Sequence, residues 1–450
     1  MTGFFSVRHS SLCSLLLCAL GVGVLTLSFP VLRAHAQAPA KNKNVTRTRA
    51  THPLQELLDR AEKAIAEENF AVAVEALEKF IVSEPNDAFA HFHLGYAYTG
   101  LKDWQKAATA YRRAVELKPD LAAAQLNLGL ILYEHESPAA SIEPLRKAAE
   151  LLANEARPHF LLGTALERSG KPAEAIAHYR AAASLDPRDP DTQLAIGRAL
   201  LLTEDFAQAE AAFRQTLALD QQKPGARLGL AQSLIAQKKY PAAATELDAY
   251  LAASPTDTTA WMQLATLRFE TEAYDEALAA LDRAEAATGP TAESLRLRAD
   301  IFQRQRRFDD AIAVLRRILE QSPQDAGLHA RIGRLLLEKR DFPAAETELI
   351  KSLQLDPAPL DPLRDLISVY YLGEKYDAAL RLMDRLAARE TPTAFSWFIR
   401  ATCYDKLMQK VEAIAAYEKF LELDQGQSHD RGIQARARIR TLKRELEQKR

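Results

Sequence analysis

A period of 34 residues runs along most of this 450-residue chain and limits its fold more than any other feature. Steps of 34 residues from Ala73 to Ala413 meet alanine at ten of eleven positions, and Ser141 is the exception. The chain has 80 alanines in 450 residues, so chance would place about two of them in that column. Such a period is typical of one helical unit stacked many times, because a single unit cannot bury its apolar face alone.

Other columns with the same period carry helix-ending, small and bulky residues. Six of the eleven residues met in steps of 34 from Pro85 are proline, which cannot continue a helix interior. The column that contains Gly95 is glycine or alanine in ten of eleven places, and Ile367 is the exception. A third column is bulky throughout. The frame extends over residues 54–427, which is eleven units with no insertion or deletion.

The unit at residues 88–121 shows how these columns combine. Apolar residues at helical spacing form one stripe before the break at Gly100–Asp103 and another after it. Small residues at Gly95 and Ala107 would let the two helices of a pair approach closely. Only 17 glycines and 21 prolines occur in the chain, which agrees with helices and disfavours a β-sandwich or barrel.

Leu94-Gly95, Tyr98, Ala107, Tyr111 and Pro119 together carry a recognisable family pattern. On these residues the chain resembles the tetratricopeptide repeat family, and the resemblance covers all eleven units. It implies an all-α fold, a right-handed superhelical solenoid of antiparallel helix pairs in which the first helix of each pair lines a concave groove. Members of the family mostly bind peptides or other proteins and act as scaffolds or adaptors.

The third unit, residues 122–155, departs most from the pattern. It has Ser141 in the alanine column, and Pro144 lies within its expected second helix. Proline removes a backbone donor and clashes with the preceding turn. We therefore expect this helix to start late or to bend at Pro144.

Residues 1–36 have the order of a secretory signal peptide. Arg8 precedes an uncharged apolar run from Leu12 to Leu32, and Ala34-His35-Ala36 offers small residues for cleavage before Gln37. The alternative is an uncleaved membrane anchor, since the run exceeds the ~18 residues that can span a bilayer. Either reading predicts export, and we expect a location in the periplasm or cell envelope of a bacterium.

Two further segments flank the repeats. Residues 37–53 are basic and show no periodicity, which indicates a flexible linker. Residues 428–450 carry eight lysines and arginines and an apolar stripe at helical spacing, which indicates a capping helix. Either basic segment is a candidate for peripheral contact with an anionic membrane.

The charge balance and the missing motifs limit the chemistry further. With 58 Lys and Arg against 60 Asp and Glu the formal net charge is −2, so we expect no nucleic-acid partner. The mature sequence shows no nucleophile elbow, no phosphate-binding loop and no metalloprotease signature. We therefore expect a protein that is not an enzyme and that holds no cofactor or metal.

The candidate functional residues are those that the family resemblance places on the concave face. They comprise an aromatic section followed by an arginine-containing section, which could hold a peptide with apolar anchors and acidic groups. The alternative for each residue is an aromatic that packs between helices or an arginine that is merely solvated. The candidate ligand-groove residues are Phe89, Phe92, Tyr96, Tyr133, Phe160, Arg198, Arg296, Arg334 and Arg364.

The sequence thus predicts an exported, non-catalytic scaffold or adaptor of the bacterial envelope that binds a protein or peptide in its groove. The alternative is a groove that holds an envelope polysaccharide or a peptidoglycan strand. Sugar-binding grooves favour Trp and Tyr platforms mixed with carboxylates and amides. The phenylalanines and arginines found here favour a protein partner.

Overall fold

The computed structural model describes residues 53–448, and every regular element in that range is an α-helix. The prediction of an all-α array of helix pairs is confirmed. Within the described range 22 helices form eleven pairs, and one more helix follows the last pair. The pairs begin close to the 34-residue intervals read from the sequence.

The chain divides into two compact units, one that ends at Asp257 and one that begins at Thr258. The described part of the first unit contains six pairs. Its helices are α1 (Pro53–Ala66), α2 (Phe70–Ser83), α3 (Ala88–Gly100), α4 (Trp104–Leu117), α5 (Ala122–His135), α6 (Pro138–Leu151), α7 (Ala156–Arg168), α8 (Pro172–Leu185), α9 (Pro190–Leu202), α10 (Phe206–Leu219), α11 (Pro224–Ala236) and α12 (Tyr240–Ala253).

The second unit contains five pairs and the final helix. Its helices are α13 (Thr258–Glu270), α14 (Tyr274–Thr288), α15 (Ala292–Arg304), α16 (Phe308–Gln321), α17 (Ala326–Lys339), α18 (Phe342–Leu355), α19 (Asp361–Leu372), α20 (Tyr376–Ala387), α21 (Ala394–Lys406), α22 (Lys410–Asp424) and α23 (His429–Glu447).

The small-residue columns mark the places where the two helices of a pair touch. A Cβ atom added at Gly95 on α3 would lie 2.7 Å from Cδ1 of Tyr111 on α4, so only a hydrogen fits there. The same relation holds between Gly163 and Tyr179 in the fourth pair. Ala107 is fully buried. Close packing of this kind leaves no space for a larger side chain at Gly95 or Gly163.

A left-handed residue lies in the turn between the two helices of ten of the eleven pairs described. Lys102 has φ 59°, and the next N–H, that of Asp103, donates to the carbonyl of Tyr98 at 3.0 Å to end α3. The third pair differs, because Glu136 has φ −125°. There Ser137 caps α6 by accepting a hydrogen bond from a backbone N–H through its Oγ.

Of the two outcomes expected at Pro144, the late start of the helix is wrong and the bend stays a prediction. Helix α6 begins at Pro138 and runs through Pro144 to Leu151. Pro138 suits the first turn because its missing N–H would be unpaired there anyway. The Ser141 hydroxyl, in the alanine column, donates to the carbonyl of Pro138 at 2.7 Å and so meets its own hydrogen-bonding need inside the helix.

Helix α23 packs against the eleventh pair at the end of the second unit. Ala435, Ile439 and Leu442 are buried in a cluster with residues of α21 and α22. Arg438 of α23 donates through Nε and Nη2 to the two carboxylate oxygens of Asp405 at 2.6 and 2.8 Å. Between residues 53 and 448, no helix is both long enough and apolar enough to cross a bilayer.

Candidate functional site

The first helices of neighbouring pairs touch through charged side chains in the first unit. Nη2 of Arg198 on α9 lies 3.5 Å from a carboxylate oxygen of Glu167 on α7. Residues at spacings of four and three share one face of a helix. Phe160, Thr164 and Glu167 therefore form one stripe on α7, and Leu194, Arg198 and Leu201 form the matching stripe on α9.

Glu167 accepts a hydrogen bond from a buried tyrosine. The hydroxyl of Tyr179 on α8 donates to a carboxylate oxygen of Glu167 at 2.7 Å and lies 3.3 Å from Oγ1 of Thr164. Burial raises the pKa of Tyr179, and the negative charge of Glu167 raises it further. The hydroxyl is thus a fixed donor that orients Glu167 toward Arg198.

Tyr133 on α5 borders the same cluster. The guanidinium of Arg168 on α7 lies 5.1 Å from the centre of its ring, which is a cation–π distance. Burial raises the pKa of Tyr133, while Arg168 acts in the opposite direction. Within residues 53–448 the buried Tyr133 hydroxyl has no hydrogen-bond partner, and neither has the buried Nε of Arg198.

Apolar side chains surround these polar groups. The ring of Phe160 lies 5.7 Å from that of Tyr179 and remains half-exposed, as do Leu194 and Leu201 on α9 and Leu130 on α5. We call this surface, formed by Tyr133, Phe160, Glu167, Arg168, Leu194, Arg198 and Leu201, the α5–α9 face. A mixture of apolar side chains with a few oriented polar groups is typical of binding surfaces.

The structure brings three of the predicted groove residues together on this face. They are Tyr133, Phe160 and Arg198. Glu167 and Arg168 complete the cluster and were not among the residues predicted from the sequence. A signal exists for Arg168 alone, because Tyr133 and Arg168 recur four repeats later as Phe269 and Arg304, whose guanidinium lies 5.7 Å from the ring.

The prediction that Phe92 lines the groove is wrong. Phe92 is only 6% exposed, and its ring packs 6.0 Å from that of Tyr111 inside the second pair. Phe89 is exposed, with the Lys118 ammonium 4.7 Å from its ring centre. Tyr96 is half-buried against the ring of Phe70, at 6.3 Å. Neither Phe89 nor Tyr96 makes a described contact with the α5–α9 face.

In the second unit, two of the three predicted arginines are already neutralised by carboxylates of the same unit. Nε of Arg334 donates to Asp365 at 2.8 Å. Arg364 pairs with Asp361 at 2.7 Å and also with Glu390. Burial raises the pKa of Asp365, and Arg334 opposes that rise.

These ion pairs correct the expectation that Arg334 and Arg364 are available to hold an acidic partner. Each guanidinium has a fixed carboxylate from its own chain, so a ligand would first have to displace it. Arg296 is different, because it is exposed and forms no ion pair with any residue of the described range. It remains a solvated arginine with no neighbouring group that defines a site.

The described residues show no arrangement for metal chemistry. Between residues 53 and 448, no group of three or more His, Cys, Asp or Glu side chains is placed to hold an ion. The α5–α9 face offers hydrogen-bond donors, one carboxylate and apolar contact area. These are groups that a binding surface uses.

Two models of the tetratricopeptide repeat match the chain over most of its length. The first matches residues 58–122, 101–158, 126–191, 160–224, 194–258, 296–362 and 365–428, and the second matches residues 234–301. No curated protein matches the chain.

Solved structures of repeat proteins are similar to parts of the chain. One is YrrB, described as having an unusual peptide-binding site, with 20% identity, coverage of 42% of this chain and 97% of that chain, and a TM-score of 0.39. Another is MamA, with 23% identity, coverage of 38% and 93%, and a TM-score of 0.36. A third is PilF of Pseudomonas aeruginosa, with 22% identity, coverage of 47% and 97%, and a TM-score of 0.39.

Proposed function

The chain belongs to the tetratricopeptide repeat family, and on that premise we propose that it is an exported, non-catalytic scaffold of the bacterial envelope. Tetratricopeptide repeats are protein-interaction modules, so a protein or peptide partner is the first expectation. We propose that the partner binds the α5–α9 face of the first unit. This assigns the binding role to a smaller surface than the whole groove.

One observation carries the proposal. Neighbouring first helices α7 and α9 present half-buried Phe160, Leu194 and Leu201 around the oriented Glu167–Arg198 pair. Burial of the apolar side chains would stabilise a complex at ~25 cal/mol per Å² of apolar surface covered. The charged pair would fix the orientation of the bound segment, because misplaced charges are penalised at an interface.

Export is the second part of the proposal and is supported by the sequence alone. The order of Arg8, the apolar run Leu12–Leu32 and Ala34-His35-Ala36 lies outside the described residues. N-terminal sequencing of the protein from fractionated cells tests it. A mature chain that begins at Gln37 in the envelope fraction is expected, and a full-length chain in the cytoplasm would contradict the proposal.

The interaction itself is tested by affinity purification from the protein's own cells after gentle crosslinking. The wild-type chain should recover a defined protein, and Leu194→Glu should lose it because a charge would enter the apolar part of the face. Ala177→Glu on the exposed surface of α8 is the matched control and should recover the same protein. Recovery of glycan in place of protein would favour a polysaccharide-binding role.

A further inference from the structure

Two sets of residues four repeats apart have nearly the same composition, but the second arginine meets a different carboxylate in each. Tyr133, Arg168 and Arg198 in the first unit correspond to Phe269, Arg304 and Arg334 in the second, since each pair is 4 × 34 = 136 positions apart. Both sets place a guanidinium over the aromatic ring, at 5.1 Å in the first and 5.7 Å in the second. The two sets therefore allow a direct internal comparison.

The difference lies at the second arginine. In the second unit Nε of Arg334 donates to Asp365 at 2.8 Å. The position that corresponds to Asp365 in the first unit is Gly229, and there the buried Nε of Arg198 has no partner within residues 53–448. In the first unit the carboxylate of Glu167 lies 3.5 Å from Nη2 of Arg198, and no carboxylate of the described residues reaches its Nε.

The chain cannot supply that carboxylate itself without repacking. A Cβ added at Gly229 would overlap the ring of Phe213, which fills the space between the fifth and sixth pairs. In the second unit Leu349 stands where Phe213 stands in the first, and the smaller side chain accompanies the aspartate. The missing carboxylate is therefore built into the packing of the first unit.

We propose that Tyr133, Arg168 and Arg198 form a subsite for a side-chain carboxylate of a bound peptide segment. This inference rests on the proposed function, because it names the chemistry of the partner at the α5–α9 face. The ligand carboxylate accepts from the Nε of Arg198, as Asp365 does from Arg334. The Tyr133 hydroxyl, which also lacks a partner, is the second donor.

The carboxylate that faces Arg198 is already engaged. Glu167 accepts from the Tyr179 hydroxyl at 2.7 Å and faces Nη2 of Arg198 at 3.5 Å. Both unmatched groups are donors, and a buried donor left without an acceptor is costly. An anionic acceptor forms a stronger hydrogen bond with these donors than a neutral acceptor does.

Arg168 controls access to the subsite. Its side chain lies over the ring of Tyr133, is exposed, and forms no ion pair with any described residue. A long exposed arginine changes rotamer at little cost, so it can swing toward an incoming carboxylate and uncover the Tyr133 hydroxyl. The half-exposed side chains of Phe160, Leu194 and Leu201 would then contact apolar residues on either side of the acidic one.

The test compares the retention of three peptide pools on the immobilised full chain. All pools have the same randomised apolar flanks, and the first has a central Glu with an amidated C-terminus. The second has Gln with an amidated C-terminus, and the third has Gln with a free C-terminal carboxylate. We expect the wild-type chain to retain the first pool about tenfold better than the second and the third.

Four variants separate the subsite from general charge attraction. Arg198→Met and Tyr133→Phe should reduce the Glu-to-Gln ratio toward one. The double variant Gly229→Asp with Phe213→Leu rebuilds the second unit's arrangement and should also reduce the ratio, although Arg198 is retained. Arg180→Gln, on the exposed surface of α8, should keep the wild-type ratio.

Equal retention of the first two pools by the wild-type chain, including no retention of either, would overturn the inference. A ratio that Arg180→Gln lowers as much as Arg198→Met would overturn it as well. If the third pool is retained as well as the first, the assignment to a side-chain carboxylate is wrong. A partner that crosslinks at the α5–α9 face without preference for the acidic pool would leave the proposed function standing and remove only this subsite.

Discussion

The ring of Phe213 on α10 occupies the space that a side chain at Gly229 on α11 would need. The same ring also lies against α9, where a Cβ added at Gly197 would be 2.6 Å from Cε1 of Phe213. One fully buried phenylalanine thus fixes the spacing of three helices. It also fixes what the chain can place beside Arg198.

This relationship predicts that Gly229→Ala destabilises the first unit. The added methyl group forces the Phe213 ring out of its rotamer, and overpacking of this kind costs about 1–3 kcal/mol. Gly225→Ala on the same helix is the control, because its Cβ would lie 3.8 Å from Leu194 and meet only ordinary contact. Urea denaturation should show a lower midpoint for Gly229→Ala alone, with recovery in the double variant Gly229→Ala with Phe213→Leu.

The left-handed turns predict a gain in stability on substitution by glycine. Lys102 has φ 59°, a conformation that costs a side-chain-bearing residue roughly 1–2 kcal/mol. Glycine adopts it freely but loses more backbone entropy on folding, so Lys102→Gly should raise the free energy of unfolding by about 0.5–1 kcal/mol. Thr109→Gly, on the exposed side of α4, should lower it instead. Equal effects of the two substitutions would contradict the turn geometry.

Cys403 should be unreactive in the folded chain. Its thiol is fully buried in α21, and burial raises its pKa to about 11. The thiolate is the reactive form, so at pH 8 only about one thiol in a thousand would be in that form. Mass spectrometry after iodoacetamide treatment should find the Cys403 peptide unmodified in native protein and modified after denaturation. Rapid native modification would show that α21 opens more readily than its packing indicates.

The imidazole of His178 predicts a loss of stability in mild acid. Their rings stack 5.9 Å apart, and burial, with the neighbouring His159 next, lowers the pKa of His178. The unfolded chain therefore binds the proton more readily, so this contribution to stability is present above pH ~6.5 and falls as the pH drops below it. Arg146 and Glu174 also face this group, with opposite effects.

The measurement is the difference in urea midpoint between pH 7.5 and pH 5.5. His178→Gln should show a smaller difference than the wild-type chain because it has no proton to bind. His429→Gln, at the exposed start of α23, is the comparison and should retain the wild-type difference. An unchanged difference in His178→Gln would mean that other groups determine the acid response.

The sequence predicted the array of helix pairs closely because the same types of residue recur at the same positions of every unit. Each unit therefore packs in the same way. Alanine at position 107 and glycine at position 95 mark helix contacts through their columns alone, since only small residues recur there. The exceptions to the period were less informative. Pro144 predicted a helix that starts late or bends, yet the Ser137 cap, Pro138 in the first turn and an internal hydroxyl contact at Ser141 accompany a helix that begins at Pro138.

The candidate site was predicted only in part, because a column fixes which face a residue lies on but not what it touches. Arg198 and Arg334 belong to one column, and only the structure shows that Asp365 neutralises the second of them. Phe92 shares its column with Phe160, yet it is buried while Phe160 is half-exposed. Those differences depend on the side chains of neighbouring repeats. The sequence of a single repeat therefore does not predict them.

We expect a protein partner to bind the α5–α9 face, and site-specific photo-crosslinking in the protein's own cells is the decisive test of this binding. A photoreactive phenylalanine analogue would replace Leu194 on the face or Ala177 on the exposed surface of α8. We expect a discrete protein adduct from position 194 and none from position 177. Adducts of equal yield from both positions, or no protein adduct from position 194, would contradict the account.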